Sequence, residues 1–137
     1  MKTTVIGKPA TSSESKMKAL AKDVYMSIMG RLDVDNKVIL KKLLTEYCIF
    51  LGKKYIDITS KEIVGLVMFY HPIHDSKEQK LLSSEISRRV SGSESHELSG
   101  HFTPVLKDGK QVRRNGAYLR QFTPDSDAFV AKNTLDI

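Results

Sequence analysis

The spacing of apolar positions changes along the chain, and each change marks an element. Between residues 13 and 29, Met17, Leu20, Ala21, Val24 and Ile28 recur at three and four residues, a stripe on one face of a helix stopped near Gly30. After the start signal Asp33-Val34-Asp35-Asn36 comes a denser run: Val38, Ile39, Leu40, Leu43, Leu44, Tyr47, Cys48, Phe50 and Leu51, ended by Gly52. It is apolar on more than one face, which predicts the central helix of the core. Tyr55-Ile56-Asp57-Ile58 then alternates over a short span, the pattern of a brief strand.

Two capping boxes follow. In Thr59-Ser60-Lys61-Glu62 the hydroxyl and the carboxylate can each satisfy a backbone donor of the other residue, opening a helix through Ile63, Val64, Leu66, Val67 and Met68 that Pro72 ends. Asp75-Ser76-Lys77-Glu78 opens the next helix, 76 to 90. Its inner face carries Leu81, Leu82, Ile86 and Val90, and its outer face Lys77, Lys80, Ser84, Ser87, Arg88 and Ser91.

Residues 91 to 100 form a polar linker without a usable period. Beyond it, 102 to 107 and 117 to 122 read as strands, with Asp108-Gly109 and Asn115-Gly116 offering turn chemistry. A long hairpin and a three-strand meander both fit. Pro104 has no amide donor, so its strand belongs at a sheet edge or pairs only partly. Residues 1 to 13 read as a flexible lead, 14 to 122 as one domain, and 123 to 137 as a mobile acidic tail with Asp125, Asp127 and Asp136.

Charge adds a partner class. Lys and Arg outnumber Asp and Glu by 22 to 16, a formal charge of +6, which favours a polyanion where the excess is clustered. The clustering falls at 107 to 116, where Lys107, Lys110, Arg113 and Arg114 face one carboxylate, Asp108, on a turn. A lone cysteine, Cys48, precludes an intrachain disulfide and reads as a small buried hydrophobe. No signal peptide and no membrane-spanning stretch is read in the sequence, so a cytoplasmic protein without membrane partners is expected.

From Asn36 the order helix, strand, helix, helix, strand, basic loop, strand resembles the winged-helix family of DNA-binding domains, over residues 33 to 122. The resemblance implies an α+β winged helix-turn-helix with an extra N-terminal helix and a C-terminal β-hairpin wing. In that family the second helix of the pair lies in the major groove and the wing reaches an adjacent groove or the backbone. Carried onto this chain, the double-stranded DNA contacts are Lys77, Lys80, Ser83, Ser84, Ser87 and Arg88 on the helix. Lys107, Lys110, Arg113, Arg114 and Arg120 supply the contacts of the wing and its strand. The implied role is transcriptional regulation, or replication or partition of a phage or plasmid. The connection through Tyr70-His71-Pro72-Ile73-His74 is longer than the family's tight turn. The stripe of the first helix either packs on the core or pairs with a second copy in a homodimer.

The rival of the same fold is a docking module whose basic wing binds an acidic protein partner. RNA binding ranks lower, since Tyr118 and Phe122 are the only plausible stacking pair. A metal site from His71, His74, His96, His101 and Cys48 is poorly supported by spacing, and none is expected. Nuclease chemistry could combine His71, His74 or His101 with Arg113 and Arg114, but nothing in the sequence joins them. There is no phosphate loop of the P-loop kind and no nucleophile elbow, so neither enzymatic activity nor a cofactor is expected.

Overall fold

The computed structural model describes residues 12–91, 98 and 100–124. Residues 1–11, most of the polar linker with His96, and the acidic tail from 125 lie outside them. Among the described residues, α1 (Ser12–Ile28), α2 (Asn36–Leu51), β1 (Ile56–Ile58), α3 (Ser60–Tyr70) and α4 (Ser76–Ser91) precede six short strands. These are β2 (Phe102–Pro104), β3 (Leu106–Lys107), β4 (Lys110–Gln111), β5 (Arg113–Arg114), β6 (Ala117–Tyr118) and β7 (Arg120–Phe122). The architecture is α+β, with four helices and small antiparallel sheets among the described residues. No described helix is long and apolar enough to cross a membrane.

The local signals act largely as their chemistry requires. Asp35 caps α2, its carboxylate accepting from the Lys37 amide at 2.9 Å, and Gly52 ends the helix in the left-handed region at φ 69°. The Thr59/Glu62 capping box closes in both directions, with the Glu62 amide donating to Thr59 at 3.1 Å and the Thr59 amide to Glu62 at 3.0 Å.

The second box closes in one direction only. Asp75 Oδ1 accepts from the amides of Lys77 and Glu78, but the Glu78 carboxylate turns away to take a hydrogen bond from the Tyr25 hydroxyl at 2.6 Å and an ion pair from Arg31 at 2.9 Å. Tertiary partners win because a charge-assisted bond in a half-buried site outweighs a solvated cap.

The core is built on α1 and α2. Met17, Ala21 and Val24 are fully buried against Leu40, Leu43, Leu44 and Cys48, so the α1 stripe packs within its own chain. Ile63 and Val67 of α3 and Leu82, Ile86 and Val90 of α4 close the cluster. Three expected core positions of α2, Val38, Phe50 and Leu51, are exposed, as is Leu81 in α4. Val38 and Leu81 lie off the inward face, since a helix of period 3.6 buries only one face when its neighbours lie on one side, whereas Phe50 and Leu51 share the face of Leu43 and Leu44 but fall in the last turn of α2. The long α3–α4 connection is pinned: Ile73 is buried, and Gln79 Nε2 donates to its carbonyl at 2.6 Å.

One three-stranded antiparallel sheet has the order β1-β7-β2. Its register pairs Ile56 and Phe102 with Phe122, and Ile58 and Pro104 with Arg120. Ile56, Ile58 and Phe122 therefore share the inward face, and Pro104 sits on an edge strand, where its missing donor does no harm.

Between β2 and β7 the chain forms neither one long hairpin nor a meander. It buds into two minimal hairpins, β3–β4 and β5–β6. Each turns on a pair with positive φ at both positions, Asp108-Gly109 and Asn115-Gly116, as a two-residue type I′ turn requires. At the three-way junction the Val105 amide donates to the Leu119 carbonyl, Leu119 to Val112, and Val112 to Val105, a closed ring of bonds at 2.9 to 3.2 Å.

Candidate nucleic-acid interface

The buried triplet Leu82, Ile86 and Val90 fixes how α4 is rotated, and so which side chains it shows. Lys77, Lys80, Ser83, Ser84 and Arg88 are exposed, and Ser87 is half-buried at the margin. Arg88 pairs with Glu85 at 3.0 Å. Its neighbour Arg89 turns inward, bonding Asn36 and the Glu85 carboxylate, and so ties α4 to the start of α2.

The two hairpins differ in how they are held. In β5–β6, Arg114 forms a two-pronged contact with Glu62, at 2.9 Å from Nε and 2.6 Å from a terminal nitrogen, and also donates to the Asp57 carbonyl at 2.8 Å. This anchors the hairpin to β1 and the start of α3. Burial by itself raises the Glu62 carboxyl, but hydrogen bonds from Arg114 and the Thr59 amide outweigh it and hold the group below its ordinary value. Arg114, expected to meet phosphate, is therefore engaged within the fold.

Arg113 lies 4.4 Å from the centre of the Tyr118 ring and donates to its hydroxyl at 2.7 Å, so its guanidinium is held in place at the surface. Lys107 and Lys110 sit on β3–β4, every residue of which is exposed from Leu106 to Gln111. Arg120 belongs to the central strand and is half-buried, not displayed on a loop.

Where α4 meets β5–β6 a cleft opens, with a volume of about 230 Å³. Ser87 and Ser91 line it from α4, Ser60 from the first turn of α3, and Arg113, Tyr118 and Arg120 from the strands. The cleft joins three expected contacts, Ser87, Arg113 and Arg120, to Ser91, read only as part of the outer helix face, to Tyr118, weighed only as a stacking aromatic, and to Ser60, which sequence reading missed. The capping box marks Ser60 as the opening of a helix, but nothing in the linear pattern places it beside α4.

The chemistry weighed against DNA binding also finds its place. His71 packs against Tyr25 with the ring centres 4.8 Å apart and the planes tilted by 41°, and His101 Nδ1 lies 2.7 Å from the Thr123 carbonyl. Among the described residues no three His, Cys, Asp or Glu side chains gather as a metal site would need. Cys48 is fully enclosed, and burial pushes its thiol up to about 12. Phe122 is fully buried, which removes one of the two expected stacking aromatics. Comparison with protein-family models, curated proteins and solved structures returns no match.

Proposed function

We propose that this protein binds duplex DNA in the manner of a winged helix, with α4 in the major groove and the hairpins against the backbone. The observation that carries the reading is the shared cleft, in which Ser87 and Ser91 of α4 meet Arg113, Tyr118 and Arg120 of the strands. The order α2-β1-α3-α4-β2-hairpins-β7, with β7 between β1 and β2, supports it as the arrangement the winged-helix resemblance implies. The free-standing β3–β4 hairpin, with Lys107 and Lys110, is then the wing tip, and Arg88 is the base or phosphate reader of α4. A regulator of transcription, or a replication or partition factor of a phage or plasmid, uses such a surface.

Binding to random-sequence duplex DNA across a salt series tests this. Affinity falls as salt rises, by about 0.9 log units per log unit of salt for each phosphate contacted, and Lys107→Ala with Lys110→Ala flattens that slope by about 2. Arg88→Ala costs about 1 to 3 kcal/mol on a preferred site if it meets a base. No binding at low salt sinks the reading. A docking role with an acidic protein partner is then favoured.

A further inference from the structure

Arg120 is an unusual residue for its position. It pairs with Ile58 and lies two residues from Phe122, so it shares a sheet face with Ile56, Ile58 and Phe122, which are buried. Its Nε is shut off from solvent and hydrogen bonds to nothing among the described residues. An N–H so enclosed lacks the acceptor that a buried donor needs, and an anion is the acceptor a guanidinium binds best. None of the residues lining its cleft carries a carboxylate, and the nearby Glu62 is taken by Arg114.

Beside the apolar Val90 and Ala117, the cleft holds further donors. Arg113 is positioned by Tyr118, and Ser60 and Ser87 bring hydroxyls without a partner among the described residues. Ser91 is excluded as a donor, because its hydroxyl already donates to the Ser87 carbonyl at 3.0 Å. Ser60 is the first residue of α3, so the positive end of that helix's peptide dipoles also lies here. A water occupies about 30 Å³ of liquid, so the volume takes one oxyanion with part of its hydration shell.

We propose that this cleft binds a single phosphate group, held by Arg120 and Arg113 with the hydroxyls of Ser60 and Ser87. Its assignment as a DNA backbone phosphodiester rests on the DNA-binding reading; the phosphate chemistry does not. The site locks the reading helix to the hairpin through the ligand, so binding at the cleft orders the two elements relative to each other.

The test is a nuclear magnetic resonance titration of the full chain with inorganic phosphate against chloride at matched ionic strength. Saturable shifts confined to the Arg120 and Arg113 side-chain N–H groups and the amides of Ser60, Ser87 and Gly116 are expected. Arg120→Gln weakens phosphate binding by about tenfold or more, as loss of a charge-assisted hydrogen bond implies. Because that variant can disturb the sheet, Ser60→Asp is the second: a carboxylate in the first turn suits the helix but places a negative charge in the cleft, and it abolishes the saturable shifts.

A second arm uses duplexes with single uncharged methylphosphonate linkages. If one linkage weakens wild-type binding and leaves Ser60→Asp indifferent, the phosphate is a backbone phosphodiester. If phosphate saturates the cleft but DNA does not bind, or binds with no sensitive linkage, the site stands with a free phosphate or phosphomonoester as ligand, and its DNA assignment falls. Shifts spread over the basic surface without saturation, or a Ser60→Asp protein that titrates like wild type, overturn the site.

Discussion

The Glu62 carboxylate accepts from the Thr59 amide through one oxygen and from Arg114 through both, so a single side chain caps α3 and anchors a hairpin. Its folded-state value is depressed. The stability it supplies is therefore fully present above the ordinary carboxylate value of about 4.3 and is lost as pH falls through the lower folded value. Urea midpoints measured from about pH 5 down to pH 2 should fall more steeply for wild type than for Glu62→Gln. Thr59→Ala, which removes the other half of the box at a buried position, should cost about 1 kcal/mol in chemical denaturation. Cys48 is the contrasting case, since burial with no polar partner leaves the thiol protonated and out of reach. Iodoacetamide should leave it unmodified in the native protein over the time in which the urea-unfolded chain reacts to completion.

Within α4, burial separates adjacent leucines. Leu82 and Ile86 are fully enclosed, so truncation of either to Ala should destabilise by about 2 to 5 kcal/mol. Leu81, which shows 42% of its surface, should change stability by less than about 0.5 kcal/mol. The periodicity read Leu81 and Leu82 together as inward-facing. A window of alternating polar and apolar residues cannot say how wide a face the neighbouring helices will cover. The hairpins are a case where local chemistry was read correctly and its consequence was not. Asp108-Gly109 and Asn115-Gly116 were legible as turns, but they stand seven residues apart, and Val105, Val112 and Leu119 repeat at the same interval. That repeat is the linear trace of the three-way junction. A Cβ at Gly109 or Gly116 meets nothing within 4 Å, so the penalty for Gly→Ala at either is one of backbone conformation alone. It should be about 1 to 2 kcal/mol, read as loss of hairpin amide protection in hydrogen exchange.

Across the whole molecule, α1 is an integral layer. Met17, Ala21 and Val24 are completely buried among residues of α2, α3 and α4, and Arg31 beyond its end pairs with Glu78 of α4. A chain lacking residues 1 to 30 should lose its cooperative unfolding transition, since the large apolar face of α2 would be left in water. The same packing brings the start of α3, the end of α4 and the strands around one cleft. Functional side chains from residues 60 to 120 meet there although no stretch of sequence joins them.

What the sequence by itself determined is what depends on neighbours a few residues away: the caps of α2 and α3, the αL stop at Gly52, the β1 alternation, the turn pairs and the amphipathic order of helices. These follow from backbone hydrogen-bond needs and side-chain period, which act within one or two turns. Tertiary structure alone decided the fate of each charge. Glu78 left its cap for Tyr25 and Arg31, Arg114 became an anchor, and Arg89 turned inward while Arg88 stayed at the surface. Arg120 was set on a buried sheet face without a counter-ion among the described residues. The physical reason is that an ion pair depends on distance and desolvation in three dimensions, so two arginines alike in sequence take opposite roles once the core has fixed where each one points.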